Sequence, residues 1–306
     1  MSVTPGPTSG RPAGDLLLSV PVRVSATYVV AAPERIPDDP VEEITGAMAG
    51  LPFPSGREPL TVTVTEVGED DPTLAWAREI LCCPECSPGA EALLGELLHT
   101  TRRHLKVTGT AAPGWPPAHL YATARAVDAL AESTGGVPLD AEAPRTLPRP
   151  WRPRVAAAPE EFAVAEWLWI GVHPDTGGYA MQTTGLTRLG LPELRAEAVA
   201  LRHVAAWTRL FKALARSLAC RLFAHLADAG EPVPPLSVPA EPVVTTADAA
   251  AAQNAPPPPE PRALTVRLRR EPSSPRVPVP HLIVTRGRGD PADVFGGTGD
   301  ERTPRS

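Results

Sequence analysis

Aromatic residues are scarce in this chain, at 5% of the whole, and lysine is nearly missing, occurring only at Lys106 and Lys212. A core with so few rings has to be built from Ala, Val and Leu, helped by six Trp. Cysteine is limited to four positions in 306 residues, which rules out a disulfide-stapled scaffold and fits thiols kept reduced. No apolar run is long enough to cross a bilayer, so a membrane-spanning helix is not expected. A secretory leader is not expected either, because Leu16-Leu17-Leu18 is too short for its apolar region and no basic cluster precedes it. These observations predict a cytoplasmic protein. Excess positive charge is missing too: a net charge of -6 gives no global attraction to nucleic acid or anionic membrane. The chain contains no G-x-S-x-G, no Walker loop and no H-E-x-x-H, so the common hydrolase, nucleotide and zinc-protease signatures do not apply.

What is abundant is proline, at 40 residues, with 24 glycines and many arginines. The prolines are unevenly placed and punctuate the chain. Residues 1–14 are mostly Pro, Gly, Ser and Thr and read as a disordered arm. Residues 15–230 read as an α+β core, with a Pro-rich crossing at 143–159 that is either a boundary between halves or a long surface loop. Residues 231–262 are rich in Pro and Ala, including Pro256 to Pro259, and read as an extended linker. Residues 263–306 read as a basic, weakly structured tail with two weak strand candidates, Leu264 to Leu268 and Val279 to Thr285.

Within the core, alternation predicts strands over Val20 to Val30, Leu60 to Thr65 and His104 to Thr110. Pro72, Pro88 and Pro117 each open a helix after a turn residue. The third of these runs to Gly135-Gly136, a helix stop. Val164 to His173 predicts a strand apolar on both faces, hence central, joined to Tyr179–Thr184 by a Pro-Asp-Thr-Gly-Gly turn. The longest helix is predicted over Leu201 to about Ala227, with a stripe of Val204, Trp207, Phe211, Leu214, Leu218 and Leu222. The predicted fold is therefore α+β, a mixed or antiparallel sheet covered by two long helices.

Three constellations carry possible chemistry. Cys83, Cys86, His99 and His104 read C-x2-C-x12-H-x4-H, the ligand spacing of a tetrahedral zinc site. Against it, no aromatic residue lies between the ligand pairs, and His104 starts an extended segment instead of completing a helical turn. The same Cys-Pro-Glu-Cys turn, with Cys82 beside it, also has the form of a redox thiol pair. Glu166, His173 and Asp175 bracket the Trp-rich strand and supply acid–base groups of the kind a hydrolase uses. Arg202, Arg209 and Arg216 with Lys212 form a basic stripe on the long helix, read as a solvated face. Cys220 reads as a core residue and Asp140 as the end of a strand.

The segment from His104 to Leu147, HLKVTGTAAPGWPPAHLYATARAVDALAESTGGVPLDAEAPRTL, resembles a recurring unit of uncharacterised actinobacterial domains of unknown function: strand, helix, double glycine, and a strand ending in Asp. Gly185 to Leu194, GLTRLGLPEL, resembles the companion half, and the two cover about half of the chain. The resemblance implies an α+β fold and assigns no catalytic residue. The functional expectation is a non-catalytic interaction or accessory protein that presents its basic tail, including Arg262, Arg267, Arg269, Arg270, Arg276, Arg286 and Arg288, to a protein partner. The tail lacks interleaved aromatics, so nucleic acid is the less favoured partner. The alternatives are a structural zinc or redox thiol site in the first half and an enzyme of hydrolase type.

Overall fold

A computed structural model describes residues 14–31, 33–49, 51, 60–68, 70–81, 98, 101, 103–143, 145–230, 232–271 and 279–296. The expected arm lies outside these residues apart from Gly14, as does most of the helix predicted after Pro88. The strands are β1 (Asp15–Leu18), β2 (Val24–Ala31), β3 (Thr61–Val67), β4 (His104–Ala111), β5 (Val137–Asp140), β6 (Arg145–Thr146), β7 (Trp169–Asp175), β8 (Gly178–Thr184), β9 (Glu193–Val199), β10 (Leu236–Pro239), β11 (Val243–Thr245), β12 (Ala263–Glu271) and β13 (His281–Arg288). The helices are α1 (Pro40–Met48), α2 (Pro72–Leu81), α3 (Ala118–Thr134), α4 (Val204–Asp228), α5 (Thr246–Ala251) and α6 (Pro291–Phe295).

The architecture is α+β with separate sheets. The first half builds an antiparallel sheet in the order β3-β4-β2-β5-β6, and the second a sheet in the order β11-β12-β13-β9-β8-β7. In the second sheet only β13 and β9 run parallel. β1 pairs with β10 as a small antiparallel ribbon that ties the start of the described chain to the segment after α4. Alternation explains β3, whose Val62 and Val64 turn inward while Thr61, Thr63 and Thr65 stay exposed. α3 packs on β2 and β4 through Leu120, Ala124 and Val127, with Gly135 in the left-handed conformation closing it.

One buried cluster runs through both sheets. The Pro-rich crossing is its hinge of contact: Trp151 lies 5.0 Å from Tyr28 and 5.6 Å from Trp167 between ring centroids. Trp167 continues to Tyr121 at 5.4 Å and to Phe162, which meets Phe223 at 5.6 Å. Much of the small aromatic inventory is thus spent on joining the halves, where offset and edge contacts of this kind add to area burial.

Three expectations are corrected here. The stretch 231–262 carries β10, β11 and α5, with Leu236, Val238 and Val244 buried, and only the exposed run around Pro256–Pro261 has the character of a linker. Residues 263–306 include β12, β13 and α6, whose Leu264, Val266, Leu268, Leu282, Val284 and Phe295 all enter the main core. The reason is periodic: Leu264, Val266 and Leu268 alternate with Thr265, Arg267 and Arg269, so the arginines occupy the wet face of a half-buried strand. The Trp-rich strand is also not central. β7 is an edge, and Trp169, Ile170 and Val172 are only partly buried.

Candidate functional site

The polar centre of the molecule starts from a glycine-bracketed turn. Gly185 (φ 119°) and Gly190 (φ 88°) flank a 3-10 turn over Leu186–Leu189, and a Cβ at Gly185 would overlap the Trp167 carbonyl oxygen. The buried Glu193 carboxyl holds this turn, accepting hydrogen bonds from the Thr183 hydroxyl at 2.7 Å, the Gly185 N–H at 2.9 Å and the Thr187 N–H at 3.0 Å. Burial raises the Glu193 carboxyl above the usual range, and those donors oppose the rise.

The turn aims Arg188 across into the first sheet. Arg188 Nη1 donates to Asp140 Oδ2 at 3.0 Å, Nη2 donates to Asp140 Oδ1, and Nε donates to Glu142 Oε2 at 2.6 Å. The Tyr28 hydroxyl accepts from Nη1 at 3.1 Å, and the guanidinium carbon sits 5.1 Å from the Tyr28 ring centre. The Arg188 and Asp140 side chains are both completely buried. Burial pushes the Tyr28 phenol far above its ordinary value, against the pull of Arg188. Burial also works against the Arg188 charge, but Asp140, Tyr28 and Glu142 outweigh it, so the guanidinium stays protonated. His119, in the first turn of α3, donates from Nε2 to the Arg188 carbonyl at 2.8 Å, and burial lowers its imidazole to about 4.

Asp140 connects this interior to the surface through Arg145, whose Nη2 lies 3.7 Å from Asp140 Oδ2. Arg145 also donates from Nη2 to the Glu166 carbonyl, while its buried Nε–H has no acceptor among the described residues. Arg145 lines a groove of about 420 Å³ together with Leu147, Pro148, Pro150, Trp151, Arg152, Pro153 and Glu166. The wall is fixed to α3 at several points. Arg149 Nη2 donates to the Ala131 carbonyl at 2.8 Å, and Asp128 accepts from the Trp151 N–H at 2.9 Å and from Arg152 Nε at 2.7 Å. Glu166 is exposed in surface area yet hemmed in by protein, which pushes its carboxyl up against the opposing charge of Arg145.

Of the predicted site residues, Cys83, Cys86 and His99 lie outside the described residues, with Cys82. His104 opens β4, is fully buried, and has Nε2 at 2.9 Å from the Thr101 carbonyl oxygen; burial lowers its imidazole below the ordinary value. Among the described residues no cluster of three or more His, Cys, Asp or Glu is arranged to hold a metal. Glu166 enters the groove, but His173 does not: it lies seven residues on, in β7, with its ring centroid 6.5 Å from that of Trp169. Asp175 accepts from the Thr176 N–H in the turn. Cys220 is half-buried, with its thiol 3.6 Å from the Pro159 carbonyl oxygen, and burial raises that thiol.

The basic stripe of the long helix is not simply solvated. Arg209 donates to the Phe295 carbonyl at 2.7 Å, Lys212 to Gln253 at 2.8 Å and Arg216 to Asp248 at 3.2 Å, so it grips α5 and α6. The tail arginines are engaged as well, Arg267 with Glu241 at 2.9 Å and Arg286 with Asp290 at 3.2 Å. Sequence reasoning missed Arg188 and the role of Asp140. The signal available was the spacing of Gly185 and Gly190 around a lone arginine. No helix of the described residues is long and apolar enough to cross a membrane. No family model, curated protein or solved structure matches the chain.

Proposed function

We propose that this protein is a non-catalytic interaction or accessory protein, and that its groove at Arg145, Trp151, Arg152 and Glu166 takes an acidic segment of a protein partner. The reading rests above all on Arg145: a groove-lining guanidinium whose buried Nε–H has no acceptor among the described residues. An N–H in that state gains a charge-assisted hydrogen bond when a carboxylate reaches it. The volume suits a side chain or two of a bound segment, and the wall is held in place by α3 before any partner arrives. Preorganisation of this kind lowers the entropy lost on binding. In this reading α3 and α4 act as the covers of the two sheets, and the crossing between the halves is the surface left to meet a partner. The groove replaces the tail as the protein-binding element, because Arg267 of the tail already serves a carboxylate of the chain itself, Glu241.

The test is fluorescence anisotropy of labelled peptides carrying Asp or Glu at successive positions, titrated with the full chain. Acidic peptides are expected to bind in a salt-dependent way, with at least tenfold weaker binding to Arg145→Gln and Arg152→Gln and no change for Arg267→Gln. Binding that is indifferent to the two groove variants, or that follows Arg267, would overturn the reading.

A further inference from the structure

The parallel pair β9 and β13 is hydrogen-bonded only over Glu193–Arg195 and His281–Ile283. Both strands run on, β9 to Val199 and β13 to Arg288, and near their carboxyl ends lies a cleft of about 150 Å³. Its lining includes Glu197, Ala198, Trp207, Thr285 and Arg286. The backbone is unusual at this point. Ala198 has φ 52°, a left-handed conformation that costs a residue with a side chain, and the β8–β9 register shifts between Tyr179 and Met181.

Trp207 stands in the first turn of α4, so the cleft adjoins the positive end of a 25-residue helix. Trp207 is 4% exposed, and its indole N–H has no acceptor among the described residues. Indole is a donor only, so whatever satisfies it must bring an acceptor. Arg286 supplies a cation on the same lining, half-exposed, with Asp290 at 3.2 Å from Nη1 and His203 Nδ1 at 3.5 Å from Nη2. The one carboxylate of the lining, Glu197, is drawn to Arg195 at 3.1 Å.

We propose that this cleft is a binding site for a small carboxylate, whose oxygens take the Trp207 indole N–H and the Arg286 guanidinium. The volume limits the ligand to a few non-hydrogen atoms or to the carboxylate end of a larger molecule. The site is independent of the Arg145 groove, which uses other residues on another sheet.

The experiment is a titration of the full, ¹⁵N-labelled chain with sodium acetate, read on the tryptophan indole signals, with sodium chloride at matched ionic strength as the control. Trp207→Phe assigns the signal. The Trp207 indole resonance is expected to move and saturate with acetate and not with chloride, and Arg286→Gln to raise the half-saturating concentration at least fivefold. Should Trp207→Phe not fold, the melting temperature decides: acetate is expected to raise it in the natural protein more than chloride does, and to lose that advantage in Arg286→Gln. An indole signal that ignores acetate, or that moves equally with chloride, overturns the site. So does an acetate response, in signal or in melting temperature, that Arg286→Gln leaves unchanged.

Discussion

Arg188 and Asp140, 48 residues apart and drawn from different halves of the chain, form a paired ion bridge with both side chains fully buried. The bridge is the covalently unconnected joint between the GLTRLG turn and the strand β5. Charge inside a protein is not in itself stabilising, because desolvation cancels much of the attraction. Its consequence is geometric: the turn has one place to go.

Arg188→Met leaves Asp140 buried with backbone donors from Glu142 and Ala143 and with Arg145 at 3.7 Å, which is too little to hold the charge. The expected loss is about 3–5 kcal/mol, the range for removing one partner of a buried pair. Adding Asp140→Asn to Arg188→Met removes the stranded charge and is expected to recover more than 1 kcal/mol, roughly the coupling typical of residues in one network. Urea unfolding of the four proteins of the cycle checks this. Additive losses would mean that the two side chains do not act as a pair.

His119 sets a pH dependence. Its imidazole is lowered to about 4 from 6.5, first by burial and then by the nearby Arg188 charge, while the Arg188 carbonyl opposes the shift. The unfolded chain therefore binds more protons than the folded one between these values. Stability from this group is complete above pH 6.5 and is lost as pH falls toward 4, by about 3 kcal/mol in full. His104 and His281 are lowered in the same direction by burial, whereas Glu193 is raised and works in the opposite sense. The informative comparison is thus between the natural protein and His119→Gln. Urea midpoints at pH 7.5 and 4.5 should lie closer together in the variant, and equal separations would remove His119 from the account.

Gly109 marks where β4 and α3 touch. A Cβ there would overlap Thr123 Oγ1 and stand 2.9 Å from the His119 carbonyl oxygen, which cannot rotate away. Gly109→Ala should cost about 1–3 kcal/mol, the range for overpacking. Thr123→Ala in the same chain should return part of this loss and not all of it. Gly114→Ala is the control, since a Cβ at Gly114 meets nothing within 4 Å. Thermal melts of the three variants separate the contact from a general intolerance of the loop.

Periodicity made much of the fold legible. The strand expected at 60–65 is β3, the strand at 104–110 is β4, and the helix expected from Leu201 is α4 behind a 3-10 turn at Leu201–His203. What failed was the reading of composition as conformation. Leu236, Ser237, Val238 and Pro239 form β10 within a proline-rich stretch, because that strand pairs with a single neighbour and proline is tolerated at an edge. β1, β10 and β11 are short, and three or four residues do not establish a period. Arg188 was illegible for a different reason: a sequence shows a charge but not its burial, and Asp140 comes to it only through the tertiary fold. Glu166 lies in the groove, where its neighbour is Arg145 and not the His173 with which the sequence paired it.

The C-terminal strands give the sharpest disagreement between composition and structure, and a single substitution can decide it. If residues 263–306 were a tethered tail, truncating one of its apolar side chains would change stability by less than about 0.5 kcal/mol, as at ordinary surface sites. Leu282, however, is fully buried in β13, between β12 and β9, and belongs to the main core. Leu282→Ala is therefore expected to cost about 2–5 kcal/mol, the range for a leucine removed from a packed interior. Deletion of 231–306 should go further. It withdraws Leu236 from the β1 ribbon, the anchors of Arg209, Lys212 and Arg216 from α4, and two inner strands from the second sheet. The shortened chain should show no cooperative urea transition, because the second sheet loses β12 and β13 and α4 loses α5 and α6, the two helices packed along it. A cooperative transition in that chain, together with a small effect of Leu282→Ala, would return these residues to the status of a tail.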